Sequence, residues 1–503
     1  MKYISTRDSN AVPVSGAVAI ARGLAPDGGL YVPQYRGQGA GGREQDFPAY
    51  FPADLTHKSY CELAEDIFAL YLEDFSRAEL AHVARAAYAG GAFPPAVAPC
   101  VQVGPFTVLE LFHGPTCAFK DMALAALPHF LTLAAAKTEQ AGEIVILVAT
   151  SGDTGKAAQE GLANVAGCRL IVFYPAGGVS EIQERQMLSG GGHNTAAVAV
   201  RGNFDDCQRG VKAIFADVTM GRQLAQAGLS FSSANSINFG RLLPQIVYYY
   251  HAYAQMLAQG SVKAGQCIDI AVPTGNFGNI LAAYYARGMG LPVRRLICAS
   301  NENDVLVEAI NAGHYNSRRP FHKTASPSMD ILVSSNFERF LFEMYGRGAD
   351  ALATAFAQFA ATGSLHIADE ARRNWQGLLY GGSAAGNAAA RTIAAVFAEH
   401  NYLLDPHTAV GWTVASNHYD QAEGIPLLLT ATASPYKFSA AVLKALGVPC
   451  GDLNGEEQMQ LLAEHTKTTI PAPLAALAHS NPRPRQKIGV ADMGRTVLEL
   501  LGL

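Results

Sequence analysis

The sequence predicts an α/β architecture: two open, mostly parallel α/β domains facing each other across a cleft, preceded by a small N-terminal region. Three observations lead there. Short apolar runs alternate with helical periodicity over most of the chain, the pattern of strands joined by crossover helices. At 503 residues the chain exceeds what one hydrophobic core normally organises, so two or three domains are expected. Glycine- and hydroxyl-rich turns also stand where apolar runs give way to helices, and that is where open parallel sheets bind ligands.

Residues 1–34 mix short apolar segments with turn signals such as Pro26-Asp27-Gly28-Gly29, so extended structure and turns are expected, followed by a Gly-rich loop at 36–42. Ser59 to Leu72 and Ser76 to Tyr88 read as amphipathic helices, each opened by a serine that can cap first-turn amides. This N-terminal region, 1–98, ends in the Pro-rich stretch 94–99. Beyond it, the strand-like runs Phe106–Leu111, Ile144–Ala149 and Leu170–Tyr174 alternate with helices from Asp121, Gly155 and Ser180. The pattern resumes at Ile268–Val272, Val293–Cys298 and Leu427–Thr430. The expected division is 99–262 for one α/β domain and 263–503 for the other.

Composition narrows the function classes. Hydrophobic residues make up 49% and charged residues 16%, which allows extensive burial and argues against a disordered chain. A formal net charge of −5 without a long basic block speaks against a nucleic-acid partner or a polybasic membrane anchor. The eight cysteines include no C-x-x-C pair, so zinc ribbons and disulfide scaffolds lose support, no metal is expected, and a reducing cytoplasm fits best. No apolar run is long enough to span a bilayer, and Met1–Asp8 lacks the apolar core of a signal peptide. A soluble protein acting on small molecules is the expectation, as a monomer or homodimer.

Four segments carry candidate chemistry. Cys267–Pro273 leads through Thr274-Gly275-Asn276-Phe277-Gly278-Asn279 into the helical pattern Ile280–Arg287. Such a turn gathers backbone N–H groups at the positive end of a helix dipole and suits a phosphate, although an ordinary strand-to-helix turn reads the same way. At Gly278 a side chain would oppose any positive φ and block close approach of the backbone. Thr150-Ser151-Gly152-Asp153-Thr154-Gly155-Lys156 is a second such turn; lacking the first glycine and the magnesium-binding hydroxyl of a P-loop, it is not a nucleotide site. In His113-Gly114-Pro115-Thr116-Cys117-Ala118-Phe119-Lys120-Asp121 a lysine follows an apolar stretch, where desolvation would lower its pKa toward an imine-forming amine. A solvated surface lysine is the alternative. Ala431-Thr432-Ala433-Ser434 offers hydroxyls at a strand's carboxyl end, either for a ligand or to cap the next helix.

Taken together these segments resemble the threonine synthases, within the fold type II (β-family) pyridoxal-phosphate enzymes. The resemblance extends from Tyr3-Ile4-Ser5-Thr6-Arg7 through Ser233–Asn238 and Ser326-Pro327-Ser328-Met329-Asp330-Ile331 to Asp405-Pro406-His407-Thr408-Ala409-Val410-Gly411. It implies conversion of O-phospho-L-homoserine and water to L-threonine and phosphate with pyridoxal 5'-phosphate. By motif, Lys120 would join the cofactor through an imine, and Gly275, Asn276, Phe277, Gly278 and Asn279 would hold its phosphate, mainly by backbone amides. Thr432 would meet the pyridine nitrogen, where a neutral hydroxyl tempers the electron sink. Thr150, Ser151, Asp153 and Thr154 would face the substrate carboxylate and the cofactor's ring hydroxyl. Asn235, Ser236 and Arg241 would form the substrate-phosphate pocket, the residue-level alternative for Arg241 being a surface ion pair. Cys117, Gly240 and Tyr436 depart from common family residues without removing a catalytic group. Two rivals remain: a β-eliminating dehydratase of the same fold and cofactor, and a catalytically silent ligand-binding relative.

Overall fold

The computed structural model describes residues 1–35, 47–138 and 142–503, so the Gly-rich loop 36–42 lies outside the described residues. Two sheets organise the rest. The smaller is wholly parallel, in the order Gln486–Gly489, Thr195–Arg201, Cys168–Pro175, Glu143–Ala149, Leu229–Ser233. The larger runs Leu379–Ser383, Val293–Ser300, Ile268–Pro273, Leu427–Ala431, Phe106–Glu110, Cys100–Val103, parallel except for the closing hairpin. Every residue of Ile268–Pro273 is buried, as a central parallel strand covered on both faces requires. Its one acid, Asp269, is held by Arg294 and Arg295 at 2.6–2.9 Å.

The expected α/β class with mostly parallel sheets is what the chain adopts, but the strands are shared between sheets in another way than 99–262 and 263–503. Cys100–Val103 and Phe106–Glu110 belong to the larger sheet, and Gln486–Gly489 returns to the edge of the smaller one. Residues 1–34 also differ from expectation, because Gly16–Arg22 is helical. Its signals are local: Ser15 accepts from the Val18 amide and Gly23 closes the helix at φ 72°, the usual pair of caps. The two helices of the N-terminal region run Tyr60–Tyr71 and Arg77–Tyr88, each with a capping box built by Ser59 and Glu62 or by Ser76 and Glu79.

The N-terminal strand is tied into the body by Arg7, whose guanidinium donates to both Glu338 oxygens at 2.8 and 2.6 Å, while Thr6 donates to the same carboxylate at 2.6 Å. Helix Asp153–Leu162 follows the strand Glu143–Ala149 of the smaller sheet and lies against the short helix Asp121–Leu124. Gly161 sets their separation, since a Cβ there would lie 2.1 Å from the Leu124 carbonyl oxygen. Lys120 immediately precedes the second helix and Asp153 begins the first, so this glycine also fixes how closely they approach. Gly161→Ala is expected to lower stability by about 1–3 kcal/mol through overpacking, read as a fall in urea midpoint; an unchanged midpoint would show that the helices separate freely.

Candidate active site

Lys120 is carried by a loop stitched to the segment following the strand Leu427–Ala431. Leu111 N–H donates to the Ala431 carbonyl at 2.9 Å, Phe119 N–H to Thr432 at 2.8 Å, and Ser434 N–H to Cys117 at 3.0 Å. The backbone turns at Cys117, which takes a left-handed φ of 58°. The Lys120 side chain is only 12% exposed, and its Nζ lies 3.3 Å from Ser328 Oγ and 3.7 Å from Asp153 Oδ2. Burial pushes this amine below its ordinary range; Asp153 opposes that, Arg241 and Lys437 add to it, and the net shift is downward. The desolvated lysine expected at position 120 is therefore present, and the surface-lysine alternative is not.

Asp153 is the hub of the charged groups. Its Oδ1 accepts from Lys437 Nζ at 2.9 Å and Gln183 Nε2 at 2.8 Å, and its Oδ2 accepts from Ser328 Oγ at 3.2 Å. Burial alone would raise this carboxyl, but the Lys437 and Lys120 ammonium groups outweigh it and hold it well below the usual carboxylate range. Ser328 is itself fixed from behind. Its N–H donates to His407 Nε2 at 3.2 Å, so the ring proton sits on Nδ1 and is given to Asp405 Oδ1 at 2.7 Å. Thr408 Oγ1 donates to the other Asp405 oxygen and accepts from Thr432 N–H at 3.3 Å. One buried carboxylate thereby orients both Ser328 and Thr432.

The turn Gly275–Asn279 occupies the carboxyl end of the strand Ile268–Pro273 and opens the helix Gly278–Gly288. That helix has no side-chain cap, and its N-cap residue Phe277 takes φ 62°, so first-turn amides are left for a ligand. The sharp conformation falls on Phe277, not on Gly278, whose added Cβ would meet nothing nearer than 3.5 Å. Close packing instead demands Gly275, where a Cβ would stand 2.5 Å from the Ser328 carbonyl oxygen. Asn279 receives hydroxyl protons from Tyr248 and Tyr249 on its Oδ1, leaving its buried Nδ2 without a partner.

Asn235, Ser236 and Arg241 lie across from that turn. Ser335 Oγ is 3.0 Å from Ser236 Oγ and 3.4 Å from Asn276 Oδ1, and Asn336 Nδ2 reaches the Ser236 carbonyl at 3.0 Å and that of Asn276 at 3.2 Å. Arg241 is 4% exposed. Its Nη1 donates to the Ala234 carbonyl at 2.9 Å, its Nε is buried without a partner, and among the described residues no carboxylate pairs with it. The surface ion pair read from sequence is thus absent. Burial pushes this guanidinium down to about 10. Orphaned donors on Arg241 and Asn279 beside an uncapped helix fit two anionic groups.

In the Thr150–Gly155 turn, Thr150 Oγ1 accepts from Gly152 and Gly155 N–H, both at 2.9 Å, so its lone pairs shape the turn while its own proton is not used in doing so. Ser151 and Thr154 are half-buried. Sequence reasoning left Ser328, Ser335, Asn336, His407 and Lys437 without a role. The first four stand in or beside segments that carry the family resemblance; Lys437 had no local signal. Asp405→Ala would strand the His407 Nδ1–H and Thr408 hydroxyl donors, and a loss of about 1.5–3 kcal/mol is expected. Chemical unfolding checks this against Ser416→Ala, whose hydroxyl bonds the Trp412 carbonyl of its own helix and whose loss should be smaller.

Comparison with known proteins agrees with this geometry. Residues 2–88 match the family model for the threonine synthase N terminus, 95–400 that for pyridoxal-phosphate dependent enzymes, and 408–483 that for the threonine synthase C-terminal region. The threonine synthase of Pseudomonas aeruginosa is 40% identical over 88% of this chain and 90% of its own length. Mouse threonine synthase-like 1 is 36% identical over 94% of this chain, which spans 64% of that longer protein. The crystal structure of pyridoxal-phosphate-bound threonine synthase from Brucella melitensis superposes with a TM-score of 0.84 at 35% identity, covering 99% of both chains. On these matches, the chain belongs to the threonine synthase family of fold type II pyridoxal-phosphate enzymes.

Proposed function

We propose that the protein converts O-phospho-L-homoserine and water to L-threonine and phosphate, using pyridoxal 5'-phosphate. The observation that carries this reading is Arg241: a buried guanidinium that no carboxylate pairs with among the described residues, in a second anion pocket beside one already suited to the cofactor. When bound, pyridoxal phosphate supplies the electron sink that stabilises negative charge beside an amino acid's α-carbon. The Gly275–Asn279 turn holds its phosphate through first-turn amides, with Asn279 Nδ2 as a further donor, and Thr432 stands by the ring nitrogen. Asp153, fixed as an anion, faces the ring hydroxyl. Ser151 and Thr154 receive the substrate carboxylate on a turn whose shape Thr150 maintains.

Lys120 would be the residue that joins the cofactor, and its amine, when free, would move protons. Its lowered pKa favours the neutral amine that removing a proton from the substrate's α-carbon requires. Ser328 and Asp153 hold the same nitrogen in place. Arg241 meets the substrate phosphate with a forked pair of donors, aided by Asn235 and Ser236, and keeps its charge in place as that phosphate leaves. A β-eliminating dehydratase requires only one phosphate pocket, and a silent binding protein has no need of a desolvated lysine, so both rivals fit this cleft less well. The free state of all eight cysteines supports a reducing, cytoplasmic setting.

Purified protein supplied with pyridoxal phosphate and O-phosphohomoserine should release threonine and phosphate in equal amounts; phosphate with a 2-oxo acid and ammonia would favour the dehydratase. Arg241→Ala should lower kcat/KM for O-phosphohomoserine roughly 10- to 100-fold, the equivalent of a charge-assisted bond of about 1.5–3 kcal/mol, with little change in cofactor affinity. The converse pattern would move Arg241 to the cofactor. Lys120→Ala should keep the cofactor noncovalently yet show no borohydride-fixed label at position 120 and no turnover. Labelling of Lys156 or Lys437, or threonine formation by the variant, would overturn the assignment.

A further inference from the structure

Lys437 has no part in the chemistry above, yet it is the most completely enclosed cation of the cleft. It sits in the short turn Pro435–Phe438 behind the larger sheet's strand Leu427–Ala431, with a side chain 0% exposed. Its Nζ donates to two acceptors, Asp153 Oδ1 at 2.9 Å and the Thr116 carbonyl at 2.7 Å. The other oxygen of Asp153 faces Lys120 at 3.7 Å. Asp153 begins a helix of the smaller sheet, so the contact crosses the cleft.

We infer that Lys437 is the standing counter-ion of Asp153, keeping that carboxylate charged and aimed while the Lys120 nitrogen changes its own charge and bonding. Lys437 takes this part given the role proposed for Lys120. A lysine that joins and leaves a cofactor is at different moments a cation and a neutral amine. If Lys120 were the only cation beside Asp153, each neutral moment would leave a buried carboxylate uncompensated, which is strongly unfavourable. Lys437 removes that dependence, because both of its partners are acceptors and neither takes part in the covalent exchange. The division of labour follows the two oxygens: Oδ1 is committed to Lys437 and Gln183, and Oδ2 is left to Ser328 and Lys120. Other charged or titratable groups near these three are Arg241, felt by Lys120, and Asp121 and Cys117, which feel Lys437. Asp121 is occupied by the Thr116 amide and hydroxyl and does not replace Asp153. Lys437 is therefore a positioning residue acting through Asp153.

The test compares the cofactor-loaded wild type with Lys437→Met and with the neutral pair Asp153→Asn/Lys437→Met. In the single variant Asp153 leans wholly on Lys120. The pH midpoint of the cofactor's visible absorbance should rise by about one unit or more, and kcat should fall at least tenfold. The double variant removes both charges, so it should melt at a higher temperature than Lys437→Met and recover at least threefold in kcat. An unmoved midpoint in the single variant overturns the inference, as does a double variant no more stable and no more active than the single. Where Lys437→Met does not fold, the double variant decides: folding supports the counter-ion role, and failure to fold overturns it. A wild type without a lysine-linked absorbance band, or a band that persists in Lys120→Ala, would instead sink the proposed cofactor chemistry.

Discussion

A buried cation without its anion costs a folded chain several kcal/mol, and the cleft keeps Arg241 in that condition. Lys120, Lys437 and Arg241 are all largely enclosed, and only the first two share a carboxylate, that of Asp153. The nearby Asp121 gives its two oxygens to the Thr116 amide and hydroxyl and does not pair with Arg241. The Arg241 charge is preorganised: its desolvation is met on folding, and an arriving phosphate finds donors already in place. Much of the surrounding structure exists to hold that arrangement. Asn336 ties the two anion turns together, and Arg339, completely buried, links Asn336 to Ile237 and to the Tyr31 carbonyl.

The parts of this site that were legible in sequence are those whose signals are local. A strand-like run, a glycine-rich turn and a helical period occur within a dozen residues, so Gly275–Asn279 and Thr150–Gly155 could be placed without knowing their neighbours. The desolvated state of Lys120 was legible for a similar reason, from the apolar stretch before it. What escaped depends on distant contacts. Lys437 looks like an ordinary lysine after a proline until Asp153, 284 residues away, is brought to it. His407 becomes meaningful only when the Ser328 N–H meets its ring. The steric demand assigned to Gly278 belongs to Gly275, because the obstacle is a carbonyl 53 positions along the chain. Sheet membership failed in the same way: nothing near Cys100–Glu110 reveals that its hairpin pairs with a strand beginning at Leu427.

That pairing has a mechanical consequence. Since Phe106–Glu110 lies beside Leu427–Ala431, and the loop after it is bonded to residues 431–434, Lys120 and Thr432 ride on the same sheet as the Gly275–Asn279 turn. Their mutual distances are therefore insensitive to small shifts between the two sheets. Asp153 and the Thr150 turn ride on the other sheet. A relative displacement changes the separation of Lys120 from Asp153 while leaving Lys120, Thr432 and the phosphate turn in register. The bonds that resist such a displacement include Lys437 to Asp153 and Ser180 Oγ to the Lys437 carbonyl at 3.4 Å, with Lys323 Nζ to the Gly177 carbonyl at 3.2 Å nearer the rim.

The two classes of contact differ in strength in the direction that function requires. Exposed Lys323 makes a neutral-acceptor bond in high dielectric, which adds little, whereas Lys437 joins a carboxylate out of reach of water. The rim bond is thus the weaker of the two, and the enclosed pair is the stronger tie between the two sheets. Lys120 lies beside that enclosed tie, 3.7 Å from the other Asp153 oxygen and 3.3 Å from Ser328 Oγ, so the strongest contact across the cleft stands next to the amine whose position matters most.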